Sequence, residues 1–123
     1  MKTESDTTIR LEEICKSFGT LWANRKITLD IKAGRIKALL GENGAGKSTL
    51  MSILSGRLRP DSGRILIDGK PYAGLSTRQA IEAGIGMVYQ HFMLVEAMTV
   101  TENIYLGLRQ RNVLSLSRMA DRV

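Results

Sequence analysis

The chain holds a single cysteine, Cys15, a single histidine, His91, two prolines and only 5% aromatic residues. A lone Cys15 can close no internal disulfide and has no second thiol with which to build a zinc cluster. This fits a reducing compartment and leaves packing in a strand as its expected role. No window of about 18 residues is apolar and free of charge. Residues 1–10 are polar with no apolar h-region, so neither a membrane span nor a secretory signal is read, and a cytoplasmic location is expected. No repeat, low-complexity tract or Pro/Gly-rich linker divides the sequence, which therefore reads as one unit. With 43% hydrophobic and 24% charged residues in 123, the composition is that of a folded globular domain, not a disordered or fibrous chain. The balance is basic, 18 Lys+Arg against 12 Asp+Glu, and such a charge suits nucleic acid, an anionic membrane surface or a phosphorylated ligand. Because the basic residues are scattered and few aromatics interleave with them, nucleic acid is not the expected partner.

Apolar and polar residues alternate over residues 8–15 (Ile9, Leu11, Ile14) and 27–32 (Ile27, Leu29, Ile31), which predicts two half-buried strands. Ala33-Gly34 turns the chain into a third expected strand, Ile36 to Leu40, that ends at Gly41. Leu50, Met51, Ile53, Leu54 and Leu58 keep helical spacing, with Arg57 and Arg59 toward the helix end and Pro60 stopping it. Ile65 to Ile67 followed by Asp68-Gly69 reads as a strand entering a tight hairpin. Ser76 with Gln79, and Thr99 with Glu102, have capping-box spacing ahead of two helices. Gly84 ends the first, and Val100, Ile104 and Leu108 form one apolar face on the second. Ile85 to Tyr89 reads as a further strand. The sum is an α/β domain with an antiparallel portion at its start.

Gly41-Glu-Asn-Gly-Ala-Gly-Lys47-Ser48 places two glycines with four residues between them, Gly41 and Gly46, before Lys and Ser, between an apolar run and an amphipathic helix. That is the P-loop pattern. Its glycines let successive backbone amides turn inward around an anion, the helix adds its positive end, Lys47 supplies a full charge for outer phosphates and the Ser48 hydroxyl can ligate Mg²⁺. The motif alone does not choose among ATPase, GTPase and small-molecule kinase.

The stretch Gly41 to Leu50, the turns Pro60-Asp-Ser-Gly63 and Asp68-Gly-Lys70, and Gly84-Ile-Gly-Met-Val-Tyr-Gln90 together resemble the first half of an ABC-transporter ATPase domain, over about residues 8–117. The run Gln90-His-Phe-Met-Leu-Val95, followed by Met98-Thr-Val and Glu102-Asn103, is most similar to importers of nucleosides and simple sugars. Glu96 departs from the proline usual there. The resemblance implies a P-loop NTPase fold that binds ATP with Mg²⁺ through Phe18, Gly41, Asn43, Gly44, Ala45, Gly46, Lys47, Ser48 and Thr49. Phe18 would stack on adenine. Lys47 and Gln90 would act in catalysis, and Ser48 and Gln90 would touch the metal. It further implies transmembrane permease subunits docked on the loop after Gln90, a second ATPase domain as a dimer or tandem partner, and a peripheral place on the inner face of the membrane. His91 belongs to the glutamine loop and is not read as a general base. Read from the residues alone, Phe18 could equally cap the core beside Trp22.

By the same resemblance, residues 1–7 form a tail, 8–108 the N-terminal part of the ATPase domain, and 109–123 either the start of a helical subdomain or a frayed end. No apolar strand ends in Asp-Glu, Leu114-Ser-Leu-Ser117 lacks the glycines of the family signature, and after Glu102 the only acidic residue is Asp121. The expectation is roughly half of one ATPase domain, inactive by itself, with Ile36 to Leu40 short of a neighbouring strand and open to solvent. A nucleotide-binding remnant without turnover and a non-transport ABC protein acting on ribosomes or nucleic acid are the alternatives.

Overall fold

Two alternating segments pair as the sequence predicts. In the structure, a computed structural model describing residues 8–91 and 93–106, β1 (Ile9–Phe18) runs antiparallel to β2 (Leu21–Ile31) across the short turn at Gly19-Thr20. The chain forms two units, residues 1–87 and 88–123. In the first, β3 (Ser62–Ile67) lies on the other side of β1 and β4 (Lys70–Tyr72) beside β3, giving an antiparallel sheet of order β2-β1-β3-β4. Asp68 (φ 51°) and Gly69 (φ 78°) make the two-residue β3–β4 turn, left-handed at both positions as this turn requires of an Asp-Gly pair. Leu11 and Ile14 are three apart yet both fully buried. The register shift between them and the positive φ of Glu13 (51°) mark a bulge that restores the inward face.

Helix α1 (Lys47–Leu54) buries Leu50, Ile53 and Leu54 against Leu11, Ile14 and Ile65 of the sheet and against Leu75. Each such side chain contributes about 1.5–3 kcal/mol by leaving water. Helix α2 (Thr77–Glu82) starts with the expected box, Ser76 Oγ accepting from the Gln79 amide while Gln79 accepts from the Ser76 amide, and Gly84 (φ 83°) follows its end. Cys15 is buried in β1, its sulfur accepting from the Lys26 amide at 3.2 Å.

Four expectations are corrected. Residues 36–40 and 85–89 form no strand. An extended run becomes a strand only when a neighbour completes its backbone hydrogen bonds, and neither run pairs with one among the described residues; Leu40 is 91% and Val88 95% exposed. Helix α1 stops at Leu54, so Arg57 and Arg59 lie beyond its last turn. In the second unit α3 (Val100–Tyr105) has its Thr99/Glu102 box, but Val100 and Ile104 are exposed and Tyr105 is the buried residue. Leu108, with the segments 1–7 and 107–123, lies outside the described residues.

Asp61, in the turn after α1, fastens the end of β1. It accepts from Lys16 Nζ at 2.7 Å and from the Ser17 amide and hydroxyl at 2.7 and 2.8 Å. These donors, Lys16 foremost, hold its carboxyl at about 2, below the usual 3.8. A carboxylate favoured in the folded state stabilises it above the unfolded value and loses that contribution as the group protonates. Thermal stability should therefore fall between about pH 4 and pH 2, and Asp61→Asn should flatten that part of the profile. A profile equally steep in the variant would assign the acid sensitivity to other groups.

Candidate functional site

Gly41 to Ser48 folds as a tight loop running into α1. The Ala45 amide donates to the Glu42 carbonyl at 3.1 Å, and Gly44 (φ 84°) and Gly46 (φ 90°) take left-handed angles. Gly46 is the residue before the helix, and no side chain caps it; the first helical bond runs from the Leu50 amide to the Gly46 carbonyl at 3.0 Å. The amides of Lys47, Ser48 and Thr49 are consequently left without intrahelical partners at the positive end of the helix. Such an end is a ready anion site.

Those residues and the tip of the β1–β2 hairpin enclose one cavity of about 300 Å³. Asn43, Gly44, Gly46, Lys47, Ser48 and Thr49 line it from the loop; Phe18, Leu21, Trp22 and Ala23 line it from the hairpin. Phe18 and Trp22 are each 52% exposed, and each carries a cation near its ring, Lys16 Nζ at 5.7 Å and Arg25 at 5.9 Å from the centroids. Backbone donors and a full positive charge at one end and two aromatic rings at the other suit a ligand with an anionic group and a flat ring. Trp22 was legible only as a neighbour of Phe18; its signal is its place just across the two-residue turn.

Lys47 Nζ donates to the carbonyls of Gly41 and Glu42, at 2.5 and 2.6 Å, which pins the ammonium over the first turn of the loop. Gly41 and Ala45 are not cavity walls. Gly41 anchors Lys47, and Ala45 closes the turn. Beneath the loop, Asn24 of β2 is 4% exposed and donates from Nδ2 to the Gly46 carbonyl at 3.1 Å, a contact that the sequence did not signal. Gln90 and His91 lie in the second unit and are exposed; within the first unit the structure gathers Phe18 and the loop. Ser48 is exposed on the cavity. Among the described residues no three His, Cys, Asp or Glu side chains come together to hold an ion.

The family model for ABC transporters matches residues 24–123. The chain belongs to the ABC transporter family. This ABC transporter chain is 55% identical over 103 residues to the nucleoside import ATP-binding protein NupA of Lactococcus lactis subsp. cremoris, covering 84% of the chain and 20% of NupA. It is 46% identical over 113 residues to the ribose import ATP-binding protein RbsA of Hahella chejuensis, covering 92% of the chain and 23% of RbsA. Against these curated relatives it therefore spans about a fifth of their length. The ATP-binding cassette MJ0796, solved as a dimer in a post-hydrolysis state bound to ADP and Pi, superposes with a TM-score of 0.73 at 28% identity, over 93% of this chain and 53% of that one. The ABC ATPase fold and the similarity to nucleoside and sugar importers, both expected from the loop and the Gln90 run, are borne out. The family hydrolyses ATP.

Proposed function

We propose that this chain is the nucleotide-binding part of an ATPase that powers import of a nucleoside or simple sugar. The cavity shared by the loop and the hairpin tip carries this reading. Phosphates would lie on the amides from Gly44 to Thr49, with Asn43 at the wall, and the adenine on Phe18. Lys47 would exchange the carbonyls of Gly41 and Glu42 for the outer phosphates, a trade of neutral acceptors for charged ones. Mg²⁺ bound with the nucleotide would neutralise phosphate charge. The Ser48 hydroxyl fits it as one oxygen ligand, and Gln90, supported by its place in the sequence, would be a second contact, near the attacking water.

In the second unit Asn103 accepts from the Val95 amide at 2.9 Å and donates to the carbonyls of Val95, Met98 and Thr99 at 3.0–3.2 Å. It holds the segment before α3 around an apolar groove of about 410 Å³ lined by Leu94, Val95, Met98, Val100 and Ile104. We assign this face to the transmembrane permease subunits, with the chain peripheral on the cytoplasmic side. No helix among the described residues is long and apolar enough to cross a membrane. A second ATPase domain is the other partner, and nucleic acid is none. These 123 residues by themselves should bind ATP without releasing phosphate, since no strand among the described residues ends in the paired acids that anchor a metal on its far side.

Trp22 is the only tryptophan, so its emission reads the cavity directly. Titration with Mg-ATP should change that emission saturably, and Phe18→Ala should raise Kd by roughly five- to a hundredfold, the worth of one base stacked on an aromatic ring. Unchanged emission and affinity would sink the placement of the base.

A further inference from the structure

We infer that Asn24 is a positioning residue for the phosphate cradle, holding the Lys47 amide on its line into the cavity; this deepens the nucleotide reading above and rests on it. Asn24 is 4% exposed on β2, and its Nδ2 donates to the Gly46 carbonyl at 3.1 Å. Its Oδ1 is buried with no partner among the described residues. Among the described residues the Gly46 carbonyl alone receives the Asn24 amide donor. Gly46 rests directly on this part of β2: a Cβ added there would stand 2.0 Å from the Ala23 carbonyl oxygen and 2.7 Å from Asn24 Nδ2. A peptide unit is planar, with its carbonyl and its N–H pointing opposite ways. Pinning the Gly46 carbonyl from below therefore aims the following N–H, that of Lys47, out of the helix end.

A positioning role separates from a structural one. With Asn24 replaced, the Gly46 carbonyl still accepts from the Leu50 amide at 3.0 Å, so no acceptor is orphaned. Leucine keeps the branching at Cγ, and removal of the unsatisfied Oδ1, an atom whose burial is itself costly, offsets the overpacking by its larger methyl groups. Asn24→Leu should therefore leave the unfolding midpoint in place while loosening the cradle.

The test uses the full chain, with Kd for ATP and for AMP read from Trp22 emission beside the denaturant midpoint. AMP shares base, ribose and one phosphate with ATP, so the Kd for AMP divided by the Kd for ATP isolates the outer phosphates. Asn24→Leu should lower the ratio by roughly five- to tenfold, the worth of one hydrogen bond, at an unchanged midpoint. Asn24→Asp, which keeps the shape and replaces the donor by an acceptor, should lower it further. An unchanged ratio in both variants overturns the inference, as does a parallel loss of ATP and AMP affinity that tracks a lowered midpoint. Absence of ATP binding in the unsubstituted chain overturns the nucleotide reading itself, and this inference with it.

Discussion

Lys47→Ala should weaken Mg-ATP binding roughly ten- to a hundredfold, the range spanned by a charge-assisted contact worth about 1.5–3 kcal/mol. The ammonium is held by two carbonyls of its own loop, which places it at the loop mouth with no carboxylate partner among the described residues to release. Exchange onto phosphate then gains charge–charge attraction at the cost of two neutral contacts. The fold should lose little, because the carbonyls of Gly41 and Glu42 belong to exposed residues and return to water. Equilibrium binding by Trp22 emission, alongside the unfolding midpoint, checks both halves. An affinity unchanged by the substitution would remove Lys47 from the site.

The larger structural effect is expected at Gly46. Alanine there meets the backbone carbonyl of Ala23 at 2.0 Å, with no flexible side chain able to yield, and must hold φ near 90°. Left-handed strain costs about 1–3 kcal/mol and overpacking a further 1–3 kcal/mol or so. Gly46→Ala should therefore destabilise the chain by roughly 2–6 kcal/mol, or push the loop off β2 and abolish nucleotide binding. Gly44 supplies the contrast. Its φ of 84° is as strained, yet a Cβ there meets nothing within 4 Å, so Gly44→Ala should show only the strain. Denaturant unfolding of the pair decides it, and equal losses would mean that contact with β2 does not set the loop.

Local chemistry was the legible layer. Asp68-Gly69, Ser76 with Gln79 and Thr99 with Glu102 each specify their turn or cap within four residues, and each forms as read. The phosphate loop was legible for the same reason, since its glycines, lysine and serine act within one short stretch. What escaped depends on residues far apart in the chain. Ile36 to Leu40 has the apolar content of a strand, but content does not supply the neighbour that makes one. Trp22 and Asn24 join the site only because the β1–β2 hairpin brings β2 against a loop about twenty residues onward. Leu11 and Ile14 lie three residues apart, and both face inward only because of the bulge at Glu13.

On the proposed reading, the amides opening α1 receive the phosphates of a nucleotide whose base lies at the hairpin tip. Amide proton–nitrogen NMR of the chain during titration with Mg-ATP observes those groups one by one. Downfield shifts should concentrate at Gly44, Gly46, Lys47 and Ser48, with ring-current shifts around Phe18 and Trp22. Saturable shifts elsewhere, with these amides unmoved, would contradict that reading.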